Sequence, residues 1–390
     1  MTLLNNNIAK SDILRKYRPK ELDRVFVTYT QGKRQITCFC GEEIRHSIVP
    51  HLKKDHEDLW GNWKNIFIIL NNRGYSWKKI MRLFSAGDGR LLFSWTVVEK
   101  TIRGEIEDGK VKYRPKPKKE IKQWKPRNFV REKTTIWDFP QRGNWAVHSG
   151  EYRGNWPPQI PRNLISKYTK RGDLVVDAFA GGGTTLIEAW LMGRKSVGLD
   201  ISKLAIQTMN HNLKEMEKLA KKDSRIHLNP NDRPVVIGAN ALDIVKTMRK
   251  YSIGTERLKL ICAHPPYLNS IQYTVDNEND LALIHDARIF YSRINLFARE
   301  VSSLLHNNGI CAILIGDVRK NKKTIPLGLK TLDVFLKEGF EVEDIIIKTQ
   351  HKDKSSEFWV NHKSGILLMS HEYLLVLKKG KISDVTHKSG

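Results

Sequence analysis

The sequence predicts an α/β fold, a doubly wound and mostly parallel sheet behind a small basic N-terminal domain, and three observations carry that reading. Apolar strand-like runs alternate with helical stretches from about residue 160 onward. A glycine-rich turn joins the first of these strands to its helix. Two further strands end in residues better suited to a ligand than to a core.

Asp173-Leu-Val-Val-Asp177 reads as a buried strand, preceded by a short amphipathic stretch over 161–170. It runs through Ala178-Phe-Ala-Gly181-Gly182-Gly183-Thr184-Thr185 into a helical stretch at Leu186–Met192. Glycines between strand and helix let a ligand approach the backbone, and the helix N-terminus offers free N–H groups. No lysine follows the glycines, which excludes a nucleotide-triphosphate loop. Gly193-Arg-Lys-Ser-Val-Gly-Leu-Asp200 reads as a second strand. Its terminal carboxylate stands 23 residues after Asp177, where a doubly wound fold places the acid that takes ribose hydroxyls. A third strand, over 235–243, ends in Asn240-Ala241-Leu-Asp243. A fourth, Leu258–Ala263, ends in His264-Pro265-Pro266-Tyr267, where two prolines stop the ladder and fix a turn.

Composition bounds the function. The 390 residues hold 67 Lys and Arg against 42 Asp and Glu, a formal net charge of +25, with 40% hydrophobic and 28% charged residues. Such a chain is globular, long enough for two domains, and expected to meet a polyanion whose counterions it displaces. The N-terminus lacks a signal-peptide hydrophobic region and no apolar run is long enough for a membrane helix, so a cytoplasmic location is expected. Four cysteines, Cys38, Cys40, Cys262 and Cys311, make no disulfide framework.

The expected organisation is a target-recognition domain over 1–110, a basic proline-containing linker over 111–135, a catalytic domain over 136–380 and a tail over 381–390. Within 111–133, ten basic residues face only Glu120 and Glu132, interleaved with three prolines. That composition reads as an extended strap along a phosphate backbone or as a solvated connector. Cys38 and Cys40 followed by His51 and His56 are similar to a Cys2His2 zinc finger, which implies four ligands and a structural zinc, with His46 a competing ligand. Short helices are expected at 60–69 and 76–84 and a strand at 91–101; Gly-Tyr-Ser-Trp-Lys-Lys-Ile-Met-Arg (74–82) is weakly similar to a helix–turn–helix recognition helix.

Asp177-Ala-Phe-Ala-Gly-Gly-Gly-Thr-Thr185 resembles the cofactor motif of the S-adenosylmethionine-dependent amino-methyltransferases that act on adenine N6 or cytosine N4 in DNA. His264-Pro-Pro-Tyr267 resembles their (Asp/Asn/Ser)-Pro-Pro-Tyr motif. Residues 156–165, 304–317 and 371–377 resemble other segments of the family, so the likeness spans roughly 140–380. It implies a site-specific DNA methyltransferase of restriction–modification type, with DNA flipped at the target base and a restriction endonuclease as a companion. The implied cofactor set is Asp177, Phe179, Gly181, Gly183, Thr184, Thr185, Asp200, Asn240 and Ala241; the implied catalytic set is His264, Pro265, Pro266 and Tyr267. In the family the first side chain and the following carbonyl bind the amino hydrogens, and the tyrosine stacks on the base. His264 departs from that pattern. A neutral side chain there is nearer to Ser than to Asp, which leans toward cytosine N4 over adenine N6. An RNA base remains an alternative polymer, a protein glutamine amide a further acceptor, and a non-catalytic zinc-finger nucleic-acid binder the alternative without chemistry.

Overall fold

The computed structural model describes residues 120–150, 152, 154–268, 280–284, 286–320, 323–351 and 367–380 of the C-terminal part. In the N-terminal part it describes 42–44, 51, 54 and 55, with the backbone of four short strands besides. The chain divides into two compact units, Met1–Arg114 and Pro115–Gly390. In the first, β1 (Phe26–Thr30) pairs antiparallel with β2 (Lys33–Thr37), which pairs with β3 (Glu43–Ile44), Thr37 standing opposite Glu43. His51, Lys54 and Asp55 are helical. A second small hairpin joins β4 (Ile106–Glu107) to β5 (Lys110–Val111). Cys38, Cys40, His46 and His56, and the elements expected over 60–101, lie outside the described residues.

The second unit is built on an eight-stranded sheet. In chain order its elements are β6 (Ile136–Trp137), α1 (Gln159–Tyr168), β7 (Leu174–Asp177), α2 (Thr184–Leu191), β8 (Lys195–Asp200), α3 (Lys203–Ala220), β9 (Val235–Gly238), α4 (Ile244–Lys250) and β10 (Leu258–Ala263). Then follow α5 (Ala287–Leu304), β11 (Ile310–Ile315), the hairpin β12 (Val318–Lys320) and β13 (Lys323–Ile325), α6 (Leu327–Lys337), β14 (Phe340–Thr349) and β15 (His371–Lys379). The sheet order is β6-β14-β15-β11-β10-β7-β8-β9. All pairs are parallel except those of β15, which runs antiparallel to both neighbours. The expected mostly parallel, doubly wound α/β sheet is what the chain adopts.

The apolar runs explain the central strands. All four residues of β7 and all six of β11 are buried, as parallel strands covered on both faces require. Along β10, Leu260 and Cys262 turn to the face covered by Ile160, Leu164 and Ile165 of α1; Ile261 and Ala263 turn to the face covered by Phe290, Phe297 and Val301 of α5. Helix α2 is buried at every position. It has no solvent face because Ala189 joins the sheet cluster while Leu186, Ile187 and Trp190 pack with α3 and with Trp124 and Trp145 of the preceding segment.

That packing bears on the basic segment before α1. Over 120–135 the basic segment is anchored to the second unit at two apolar side chains. Ile121 and Trp124 are buried, the Trp124 indole donates to Asp223 Oδ2 at 2.8 Å, and Arg225 donates to the Ile121 carbonyl at 2.7 Å. Lys122, Lys125, Arg127, Arg131 and Lys133 stay exposed around these anchors. Burial of apolar area at alternate points of a charged segment holds it down while its cations face water. Among the described residues no helix is long and apolar enough to cross a membrane.

Candidate active site

The sheet reverses its winding between β7 and β10. From β7 the chain proceeds to β8 and β9 on one side, then returns to β10 and β11 on the other. The crevice beyond the carboxyl ends of strands at such a point is where open α/β sheets bind ligands. The glycine turn leaves β7 here and His264-Pro-Pro-Tyr leaves β10. The two strands are in register, Cys262 opposite Asp177, and the Ala178 amide donates to the Cys262 carbonyl at 2.9 Å.

Asp177 organises the turn. Its Oδ1 accepts from the Phe179 amide at 3.1 Å and its Oδ2 accepts from the Thr185 hydroxyl. Gly181 and Gly183 take φ of 51° and 83°, the left-handed region that side chains disfavour. The Gly181 amide donates to Asp200 Oδ2 at 2.9 Å, so the ends of β7 and β8 are tied together. The other Asp200 oxygen accepts from Ser202 N at 2.9 Å, and Asn240 Oδ1 accepts from Leu242 N at 3.0 Å.

One cavity gathers most of the expected residues. Asp177, Phe179, Gly181, Asp200, Asn240 and Ala241 line it from the cofactor set, and His264 and Pro266 from the catalytic set. Gly183, Thr184, Thr185, Pro265 and Tyr267 do not line it. Thr185 instead stands behind Asp177, and Tyr267 behind His264. The sequence reading missed Tyr152, Asn155 and Asp280, which also line the wall. Asn155 accepts from the Gly182 amide at 2.8 Å, and Asp280 is buried close enough to Asp200 to repel its charge. No local pattern marks either one; they reach the site through loops.

The wall is acidic. Burial pushes the Asp177 carboxyl up to about 7 and the Asp200 carboxyl up to about 6, with the neighbouring carboxylate adding to each. Burial pulls the His264 imidazole down to about 4, against the Glu372 carboxylate that favours its charged form. His264 stacks on Trp156 with ring centroids 6.0 Å apart, and its Nε2 lies 2.9 Å from the Tyr267 hydroxyl. That hydroxyl donates to Glu372 Oε1 at 2.8 Å, and Lys348 donates to Oε2 at 2.8 Å. Burial raises Glu372, but Lys348, His264 and the hydrogen bonds outweigh it and hold the carboxyl below its ordinary value. The signal for Glu372 was present in the sequence: it is the one acid in the otherwise apolar run Tyr373-Leu-Leu-Val-Leu377 and its approach.

A second buried network fixes the front of the site. Glu188 of α2 is fully buried and accepts from the Trp145 indole at 2.6 Å; the same oxygen lies 2.7 Å from His148 Nε2, and Arg162 of α1 lies 2.9 Å from the other. The segment before α1 is thereby pinned to the helix that follows the glycine turn.

Comparison with known proteins agrees with this geometry. The family model described as DNA methylase matches residues 21–211, just under half of the chain; the match takes in the glycine turn and Asp200 and ends before His264. Among curated proteins, the type II methyltransferase M.BglI of Bacillus subtilis is 30% identical over 99 residues, 23% of this chain and 28% of that protein. M.ScaI of Streptomyces caespitosus, also a type II methyltransferase, is 34% identical over 100 residues, 25% of this chain and 32% of the other. The orphan methyltransferase M.BamHII of Bacillus amyloliquefaciens is 27% identical over 156 residues, 37% of this chain and 56% of the other. The chain thus spans roughly a quarter to somewhat over half of these relatives' length. Over these stretches it is similar to DNA methylases and to type II and orphan methyltransferases. TrmN of Thermus thermophilus is among the solved structures matched, at 17% identity and a TM-score of 0.36, covering 58% of this chain and 50% of that one.

In the first unit, His51 is buried, with Nδ1 at 2.9 Å from both Glu42 Oε2 and Asp55 Oδ2. It is the only member of the expected zinc set among the described residues.

Proposed function

We propose that the chain is an S-adenosylmethionine-dependent methyltransferase that modifies an exocyclic amino nitrogen of a DNA base, in a restriction–modification setting with a companion endonuclease. One observation carries the reading: the glycine turn with Asp200 and the His264-Pro-Pro-Tyr turn, separate in the chain, line one cavity at the switch point of the sheet. The relatedness to DNA methylases and the net charge of +25 support DNA as the polymer.

The residues fit the cofactor. Asp177 and Asp280, both buried, and the half-buried Asp200 make an acidic wall suited to a cationic ligand, and Gly181 lines the cavity beside them. When bound, S-adenosylmethionine supplies a methyl group on a sulfonium. Asp200 would hold the ribose hydroxyls, Asn240 and Ala241 the adenine, and Asp177, Phe179 and Gly181 the methionine part. Gly183, Thr184 and Thr185 shape the turn from behind. An exocyclic amino nitrogen is a weak nucleophile because its lone pair is delocalised into the ring. Acceptors for its hydrogens, His264 and the Pro265 carbonyl, would localise that pair and aim it at the methyl group. A base in a duplex must leave its stack to reach them. The neutral imidazole favours cytosine N4 over adenine N6 in this reading.

Labelled cofactor offered to DNA and RNA side by side, followed by nucleoside analysis, tests polymer and base together. Label in N4-methylcytosine of DNA is expected. Label in RNA alone would replace the polymer, label in N6-methyladenine would replace the base, and no label in either would overturn the proposal.

We also propose a structural zinc in the first unit, held by Cys38, Cys40, His51 and His56. Two carboxylates stand at Nδ1 of His51, and outer carboxylates commonly orient metal-bound imidazoles. Elemental analysis of the purified chain should find stoichiometric zinc that is lost in the Cys38→Ser, Cys40→Ser double variant; a zinc-free chain would sink this assignment.

A further inference from the structure

A chain of polar groups stands behind His264 that the roles above leave unused. Lys348 on β14 and Glu372 on β15 are cross-strand partners, with Nζ 2.8 Å from Oε2. The other carboxylate oxygen takes the Tyr267 hydroxyl at 2.8 Å, and the hydroxyl oxygen lies 2.9 Å from His264 Nε2. The Glu372 oxygen itself is 4.0 Å from that nitrogen. Gly316, at the end of β11, makes room for the assembly: a Cβ there would stand 3.2 Å from Tyr267 Cε2 and 3.4 Å from Glu372 Cγ.

The phenol has one proton, and His264 and Glu372 both stand within hydrogen-bond distance of its oxygen. Paired with Lys348, Glu372 is ionised, and a hydroxyl gives its proton to a carboxylate in preference to a neutral nitrogen. The Tyr267 oxygen must then accept, so Nε2 of His264 is the protonated nitrogen. Burial and Lys348 disfavour a second proton on the ring, while Glu372 and the Gly154 carbonyl favour it; burial is the largest effect, so the resting imidazole is neutral. Its Nδ1 then carries a lone pair.

We propose that Glu372 is a positioning residue of the methyl-transfer site: through the Tyr267 hydroxyl it sets the tautomer of His264, leaving Nδ1 as the acceptor for a hydrogen of the target amino group. The functional half of this rests on the methyltransferase reading, and the tautomer itself does not. Where the resembled motif has Asp, Asn or Ser, this chain has an imidazole, with a carboxylate on another strand acting on it through the Tyr267 hydroxyl.

The isosteric Glu372→Gln variant makes the sharp test. Lys348 would keep the amide oxygen, turning the amide NH2 toward Tyr267; the phenol must then donate to Nε2, and the ring proton moves to Nδ1. In the full chain labelled with 15N-histidine, with His264 assigned by the signal missing from His264→Asn, wild type at neutral pH should show Nε2 protonated and Nδ1 unprotonated. E372Q should show the reverse, and Glu372→Asp should restore the wild-type pattern. Nδ1 protonated in wild type, as capture of the ring proton by the Gly154 carbonyl would require, or an unchanged tautomer in E372Q, overturns the proposal. Should E372Q not fold, Tyr267→Phe breaks the same link and should give both tautomers; a single retained tautomer overturns it equally. In single turnover on a methylated polymer, E372Q should lose on the order of 100-fold in rate, the scale of a positioned proton-transfer group, with cofactor affinity unchanged. A wild type that methylates nothing removes the methyltransferase reading, while the nitrogen signals still decide the link.

Discussion

The amide of Gly182 donates to Oδ1 of Asn155 at 2.8 Å, and a Cβ at position 182 would stand 2.4 Å from the Asn155 amide nitrogen. The turn and the loop before α1 are therefore fitted to each other with no space for a methyl group. Gly182→Ala should push Asn155 out of the cavity wall and weaken S-adenosylmethionine binding by 10-fold or more, about 1.4 kcal/mol. Calorimetric titration of the purified variant checks this; affinity equal to wild type would show that the loop yields without consequence.

Cofactor binding should strengthen with pH. Asp177 at about 7 and Asp200 at about 6 both titrate above the ordinary 3.8 because they are buried. The empty fold prefers them protonated, so they lower its stability as pH rises from about 4 to 7, and a cationic ligand recovers that loss by favouring the ionised forms. The increase in melting temperature given by S-adenosylmethionine should be larger at pH 8 than at pH 5.5. Equal increases would mean that these carboxylates do not meet the cation.

Glu188 should matter to stability out of proportion to its distance from the chemistry. It has no exposed side-chain surface and serves Trp145, His148 and Arg162 together. Glu188→Ala leaves the Arg162 guanidinium buried without its carboxylate, a change that costs about 3–5 kcal/mol. Denaturant titration should move the unfolding midpoint accordingly, and the double variant Glu188→Leu, Arg162→Met should recover part of the loss.

Trp124 should decide how the basic segment behaves. Its indole is buried and bonded to Asp223, with Lys122, Lys125 and Arg127 exposed beside it. Trp124→Ala is expected to speed tryptic cleavage over 122–133 several-fold. With the anchor intact, replacing Lys122, Lys125 and Arg127 by Gln should flatten the salt dependence of DNA binding, by about one unit of slope for each phosphate these cations neutralise. An unchanged slope would place the DNA elsewhere.

Much of the cofactor side was legible from the sequence because it is local. A strand, its glycine turn and an acid at the end of the next strand lie within 174–200, and their geometry follows from backbone chemistry that individual residues announce. The partners that complete the site were not legible in that way. Asn155 meets Gly182 from a loop, and Glu372 meets Tyr267 from a strand 105 residues further on, so only the folded sheet brings them together. Strand β14 escaped the sequence reading because its exposed Glu341, Val342 and Glu343 blur the period-two pattern. Over 120–135 the lysines set the composition of the basic segment, but Ile121 and Trp124 set its placement.

Helix α2, which receives the glycine turn, has no face in contact with water. A helix enclosed on all sides cannot loosen alone, since any opening must first peel away its neighbours. Backbone amides along 184–191 would therefore exchange their hydrogens only when much of the second unit opens, and they report its cooperative stability. The turn that would seat the cofactor is on this account preformed and rigid.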